Sequence, residues 1–127
     1  MNADLNQVSE RIIGCAYAVS SALGSGFLES VYDGALALEM AAAGLTFARQ
    51  QRLPVRYRGT VVGEFIADYL VERRVIVEIK AVRSIVPEHQ AQLLNYLNAS
   101  GLSLGLLINF GTPRVQIKRM VNRHREA

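Results

Sequence analysis

The stretch that decides the fold is Arg74-Val75-Ile76-Val77-Glu78-Ile79-Lys80, an apolar run that two charged residues enter at alternate positions. Because side chains of a strand alternate between the two faces of a sheet, Glu78 and Lys80 share a face with Ile76. The opposite face is entirely apolar, with Val75, Val77 and Ile79. We therefore predict a strand over residues 73–82, in a sheet that is covered on both faces.

A second acid precedes this strand on its neighbour. Residues 61–71 also alternate, which predicts a strand that is joined tightly to the next one at Glu72 and Arg73. Alternation places Asp68 on one face and the apolar set on the other, namely Phe65, Ala67 and Tyr69. The pattern predicts that Asp68, Glu78 and Lys80 are partly buried together. An exposed Glu78–Lys80 pair beside a solvated Asp68 is the alternative.

Helical spacing dominates the first third of the chain. Apolar residues recur through residues 8–22, and Gly24 and Gly26 are expected to end that helix. A second helix before Gly44 follows, and we expect it to bury one stripe, made of Leu28, Val31, Ala35, Leu38 and Ala42.

The remaining elements complete an α/β pattern. Residues 45–58 read as a strand that Pro54 places at an edge or a bulge, and 88–99 read as a helix. Residues 102–110 form an apolar run typical of a strand covered on both faces, and 115–121 read as a strand or a short helix. The prediction is an α/β fold with a mixed central β-sheet flanked by helices on both faces, in a single domain over residues 1–127.

Composition excludes several classes of protein. Half of the 127 residues are hydrophobic and 20% are charged, which excludes a disordered chain. A single cysteine, Cys15, allows no internal disulfide and favours a reducing compartment. The longer uncharged stretches are interrupted by polar residues and glycines, and acids occupy the N-terminal region where a signal peptide has cations. We expect a soluble, cytoplasmic protein that does not engage a membrane.

The net charge of +3 is unevenly distributed. Residues 1–44 hold one cation and five acids, whereas residues 45–127 hold thirteen cations and six acids. Such an asymmetry is typical of proteins with a polyanionic partner such as nucleic acid, although a solvated basic surface has the same signature.

The acids and the lysine suit metal-assisted chemistry. Carboxylate oxygens in pairs are ligands that Mg²⁺ or Mn²⁺ accepts while keeping several waters. Such an ion lowers the pKa of water and neutralises charge on a phosphodiester. Lysine is rare in this chain, which has 12 Arg and two Lys, so Lys80 is not the default basic residue at its position.

The order of these residues resembles the PD-(D/E)XK nuclease superfamily. Its pattern is matched by Glu29 on a helix, Asp68 on a strand, Glu78-Ile79-Lys80 on the next strand and Gln92 on the following helix. More closely, residues 26–32 (GFLESVY), 89–96 (HQAQLLNY) and 105–110 (GLLINF) look like blocks of the bacterial GxxExxY family of that superfamily. The resemblance implies a restriction-endonuclease-like core of order α-β-β-β-α-β.

The resemblance also implies a role for each matching residue. Asp68, Glu78 and the backbone carbonyl of Ile79 would bind Mg²⁺ or Mn²⁺, and Glu29 would reach the ion through a water. Lys80, Glu29 and Gln92 would be the catalytic residues. His89 and Tyr96, on the same helix face as Gln92, would contact the substrate. Substrate contacts are assigned separately to Arg52, Arg56 and Arg58, because arginine neutralises backbone phosphates without reading sequence.

These observations lead to one functional hypothesis with two rivals. The hypothesis is a metal-dependent nuclease that hydrolyses phosphodiester bonds, with DNA as the expected substrate and the choice between DNA and RNA left open, and the resemblance further implies a homodimer. The first rival is a catalytically silent nucleic-acid-binding module. The second is a structural or oligomerisation subunit, in which the charged cluster is a buried network.

Overall fold

The computed structural model describes residues 4–122, and within them three helices and five strands follow one another in the order α-α-β-β-β-α-β-β. The elements are α1 (Leu5–Leu23), α2 (Glu29–Ala42), β1 (Phe47–Tyr57), β2 (Thr60–Val71), β3 (Val75–Lys80), α3 (Pro87–Ser100), β4 (Leu104–Asn109) and β5 (Gln116–Val121). The alternative left open for the last segment is thus settled as a strand.

The five strands form one mixed sheet of order β1-β2-β3-β4-β5. Only the β3–β4 pair is parallel among these strands, and α3 is the crossover that parallel neighbours require. Pro54 lies on β1, at an edge of the sheet, where its missing N–H is tolerated. The predicted mixed sheet is therefore confirmed.

Helices cover both faces of the sheet, as the two apolar faces of β3 require. The larger core lies under α1 and α2 and includes Val75 and Val77, whereas Ile76 belongs to a smaller core under α3. Because Ile76 packs under α3, alternation directs Glu78 and Lys80 towards that same face. Among the described residues, no helix combines the length and the apolarity needed to cross a membrane.

The prediction of which stripe of the second helix is buried was wrong. In α2 the buried positions include Tyr32, Leu36 and Met40, whereas Leu28 and Leu38 are 77% and 74% exposed. The buried set recurs every four residues, so it fits helical periodicity as well as the predicted stripe does. Because the helix is apolar on more than one side, periodicity alone could not select the face that packs on the sheet.

The face assigned to Tyr69 was also wrong. Phe65 and Ala67 pack under α3 as one set, but Tyr69 belongs to the core under α1 and α2. Strict alternation fails between them because pairing of β1 with β2 skips Gln50 and Asp68, and Gln50 has a left-handed φ of 52°. The irregularity places Asp68 at the point where the covered face of the hairpin changes.

Candidate active site

The site lies where β2 and β3 diverge. Backbone pairing of these strands covers only three residue pairs and ends at Tyr69 and Val77. Beyond that point side chains replace the ladder: the Asp68 N–H donates to Glu78 Oε2 at 2.8 Å, and the Ile79 N–H donates to Asp68 Oδ2 at 2.7 Å. The two carboxylates therefore connect β2 and β3 beyond the point where their backbone pairing ends.

Burial makes the ionised form of this pair costly. Glu78 is only 8% exposed, and burial together with the nearby Asp68 charge raises its pKa to about 7, against the Asp68 N–H and Lys80, which lower it. Burial also raises the pKa of Asp68, although the Ile79 N–H opposes this rise. The predicted partial burial of the acids and of Lys80 is confirmed, since Asp68 and Lys80 are half-buried.

A further acid, Glu29, shares a cavity with Asp68. The cavity has a volume of about 170 Å³ and is lined by residues of α2 and of the sheet, namely Glu29, Ser30, Asp33, Gln50, Asp68 and Ile79. Partial desolvation and the Asp68 charge raise the pKa of Glu29, and Lys80 lowers it. The structure thus brings the first residue of α2 into the same electrostatic environment as the sheet acids.

The loop that presents Glu29 explains the spacing of Gly26, Glu29 and Tyr32. Gly26 has a φ of 112°, a conformation that side-chain-bearing residues rarely adopt. The Tyr32 hydroxyl donates to the Gly24 carbonyl at 2.6 Å and accepts from the Phe27 N–H at 3.2 Å. The buried Tyr32 ring also stacks on Phe110, so this side chain fixes the loop to the core just before Glu29.

Lys80 ends β3 on the face it shares with Glu78. Its backbone carbonyl accepts a hydrogen bond from the Phe110 N–H at 2.9 Å, which anchors the lysine to the strand beside it. Its positive charge lowers the pKa of Glu29, Asp68 and Glu78. One cation therefore acts on Glu29, Asp68 and Glu78 alike.

The donor set fits a hydrated divalent ion better than an all-protein cage. Within residues 4–122, no group of three or more His, Cys, Asp or Glu side chains is arranged to hold a metal ion. Asp68 and Glu78 nevertheless each use one oxygen on a backbone N–H, which leaves the second oxygen for a ligand. Because the N–H and C=O of a strand residue point to the same side, the Ile79 carbonyl also faces the gap. Two carboxylates and a carbonyl suit Mg²⁺, which keeps several waters.

Two of the predicted α3 residues approach the acids. Burial and the charges of Glu78 and Asp68 raise the pKa of Tyr96, and the nearby Gln92 side chain lowers it. The Tyr96 ring stacks on Phe65 with centroids 4.0 Å apart. Gln92 and Tyr96 therefore lie on the α3 side of the gap.

His89, Arg52 and Arg58 contact residues other than the carboxylates of the site. His89 Nδ1 accepts the Val86 N–H at 3.2 Å and caps the start of α3. Arg52 forms an ion pair with Glu64 at 2.9 Å, and the guanidinium of Arg58 lies over the Tyr57 ring. Arg56 is exposed on the same hairpin.

Sequence reasoning missed two residues of the site. Asp33 lies one helical turn after Glu29, accepts from the Tyr69 hydroxyl and from Arg49 (2.9 Å), and lines the cavity. Its spacing of four residues from Glu29 was a usable signal. Gln50 lies between the β1 residues that pair with Tyr69 and Ala67, and its side chain lowers the pKa of Asp68, but a strand pattern carries no sign of a left-handed residue.

The comparisons with known proteins agree with this geometry. A family model of the PD-(D/E)XK nuclease superfamily matches residues 6–120, and the chain therefore belongs to that superfamily. The crystal structure of SSO0001 is similar to the chain with a TM-score of 0.56 and 22% sequence identity, over 92% of this chain and 59% of that one. This similarity shows a shared fold, and the chain spans about three-fifths of the length of SSO0001. No curated protein matches the chain significantly.

Proposed function

We propose that the protein is a metal-dependent nuclease that hydrolyses phosphodiester bonds in DNA. The observation that carries the proposal is the pair formed by Asp68 and Glu78, in which each carboxylate keeps one oxygen free at the gap between β2 and β3. Membership of a nuclease superfamily supports the reaction class. We also propose that, within that superfamily, the chain belongs to the GxxExxY family. The loop before α2 supports this assignment, because Gly26, Glu29 and Tyr32 each have a different structural role there.

In this proposal the sheet holds the ion and the helices flank it. Asp68, Glu78 and the Ile79 carbonyl bind Mg²⁺ or Mn²⁺, and Glu29 acts through a water on the α2 side. The bound ion supplies a Lewis acid that neutralises the phosphodiester and makes water more acidic. Burial and the charges of neighbouring acids raise the pKa values of Glu29, Asp68 and Glu78, and a bound cation would offset this cost of ionising them.

The remaining residues orient the reactants. Lys80 donates a hydrogen bond that orients the attacking water, and Gln92 holds a phosphate oxygen from the α3 side. On α3, His89 contacts the substrate before Gln92 and Tyr96 contacts it after Gln92. The Nε2 atom of His89 is available for this contact, because Nδ1 accepts the Val86 N–H. The arginines of the hairpin, Arg52, Arg56 and Arg58, bind the substrate backbone.

Three wider features belong to the same proposal. The chain acts as a single domain, pairs as a homodimer and works in the cytoplasm. Cys15, which is buried and forms no disulfide in the described residues, supports a reducing environment.

Cleavage assays with matched lysine variants test the function. The purified protein is incubated with duplex DNA, single-stranded DNA and RNA, with Mg²⁺, Mn²⁺ or EDTA. We expect metal-dependent cleavage of DNA that Lys80→Ala lowers by about 10²–10⁴-fold in kcat. Lys118→Ala is the control, because Lys118 is the only other lysine and is exposed on β5. Equal cleavage by both variants, or salt-sensitive binding without cleavage by the wild type, would overturn the proposal.

A further inference from the structure

The β1–β2 hairpin extends well beyond the five-stranded sheet. Backbone pairing of β3 stops at Tyr69, whereas β1 and β2 stay paired as far as Tyr57 and Thr60. Residues 51–67, here called the arm, therefore form a two-stranded ribbon that starts next to Gln50 and Asp68. At about 3.3 Å per residue the arm is about 20 Å long.

One face of the arm is covered and the other is open. Leu53, Val55, Phe65 and Ala67 pack in the core under α3. Residues that pair directly in an antiparallel ladder share a face, so Arg52 and Ile66 lie together on the opposite side. Both are exposed, Ile66 by 45%. The open face and the tip are thus available to a partner.

The arm is basic as well as apolar. It carries three arginines and one acid, Glu64, which is paired with Arg52. In the described part of the chain, Arg56 and Arg58 form no ion pair. Large apolar side chains are exposed around them, namely Tyr57 (62%), Val61 (51%) and Val62 (62%). A partner with both negative charge and apolar edges matches this surface, and nucleic acid has phosphates beside bases.

We propose that the arm binds double-stranded nucleic acid in its major groove and delivers one strand to the carboxylates at its base. This inference rests on the proposed function for the identity of the neighbouring site. A two-stranded ribbon fits the width of the major groove, whereas single strands are bound in a groove with stacking platforms. The length of the arm corresponds to about six base pairs.

Binding measurements with charge-matched variants test the arm. Arg56→Ala/Arg58→Ala removes two charges at the arm, and Arg114→Ala/Lys118→Ala removes two exposed charges at the β5 side of the sheet. The affinity for a short duplex and for a single strand of the same length is measured in EDTA, so that no cleavage occurs. We expect the wild type to prefer the duplex, and the arm variant to lose about tenfold in duplex affinity. Its slope of log affinity against log salt should fall by about 2, and the control should change affinity by no more than about twofold.

Other outcomes overturn the inference. Equal losses of duplex affinity in the arm variant and in the control would mean that positive charge promotes binding regardless of its place on the protein. A preference of the wild type for single strands would exclude binding in the major groove. A change of oligomeric mass with unchanged duplex affinity would assign the arm to a second copy of the chain. Failure of the nuclease proposal has a different signature, because duplex binding through the arm would then persist while the wild type cleaves nothing with Mg²⁺ or Mn²⁺.

Discussion

Asp68 and Glu78 bridge a gap in the sheet, because the Asp68 N–H donates to the Glu78 carboxylate and the Ile79 N–H donates to the Asp68 carboxylate. The two hydrogen bonds satisfy the backbone where the ladder of β2 and β3 ends, so they contribute to the fold as well as to the site. The bridge also keeps the two acids in a partly dry place, and burial is the main cause that raises the pKa of each. The same contact thus stabilises the strands and makes ionisation of the two acids costly.

This cost of ionisation predicts that the metal-free protein loses stability as pH rises. Glu78 has a pKa of about 7 in the folded protein against an ordinary value of 4.5. Between these values the folded state holds a proton that the unfolded state has released, so the free energy of unfolding falls with increasing pH. The loss should reach about 3 kcal/mol above pH 7. Urea unfolding in EDTA at about pH 5 and about pH 8 measures it.

Glu78→Gln is the variant that checks the cause. Its amide oxygen can still accept the Asp68 N–H, but it cannot ionise. We expect a flatter pH dependence than in the wild type, with a remaining slope of the same sign because the pKa of Asp68 is also raised. A slope as steep as that of the wild type would contradict the assignment to Glu78.

A divalent ion should reverse the destabilisation at alkaline pH. Metal binding needs the ionised carboxylates, so Mn²⁺ should raise the Tm more at about pH 8 than at about pH 5. At a hundredfold excess over Kd the gain is about 2.7 kcal/mol. Asp68→Asn should abolish the gain, whereas Glu39→Gln, an exposed acid of α2, should keep it. A gain that is the same in both variants would place the ion elsewhere.

Gln50 offers a test that separates an effect on activity from an effect on stability. Its φ of 52° is costly for a side-chain-bearing residue, and glycine removes a strain of about 1 kcal/mol. Gln50→Gly should therefore be no less stable than the wild type but cleave more slowly, because Asp68 loses the polar side chain that favours its ionised form. Arg73→Gly relieves a similar φ of 57° in the β2–β3 turn and should leave cleavage unchanged. Full activity of Gln50→Gly would show that Gln50 only shapes the strand.

The Tyr32 hydroxyl should matter to the reaction through the loop before Glu29. Tyr32→Phe keeps the ring that stacks on Phe110 but removes the bonds to Gly24 and Phe27. We expect a loss of about 1–2 kcal/mol in unfolding free energy and a lower kcat with a nearly unchanged KM. Tyr17→Phe, at an exposed position of α1, is the control. A purely structural role would lower stability and leave kcat unchanged.

Sequence alone predicted the elements and most of the cluster because both depend on local patterns. The alternation around Glu78 and the acid on the neighbouring strand were enough to expect a partly buried group. What could not be predicted depends on tertiary packing: Leu38 and Leu36 are equally apolar, and only the sheet decides that Leu36 is buried. The left-handed Gln50 likewise became visible only in its pairing with the strand that carries Asp68.

The central claim is that Asp68 and Glu78 together hold a divalent ion. A crystal soaked in Mn²⁺ and measured at a wavelength where manganese scatters anomalously tests this claim most directly. The account predicts an anomalous peak between the free oxygens of Asp68 and Glu78, with the Ile79 carbonyl as a further ligand. A crystal that shows no peak there at saturating Mn²⁺, or a peak that persists in Asp68→Asn, would contradict it.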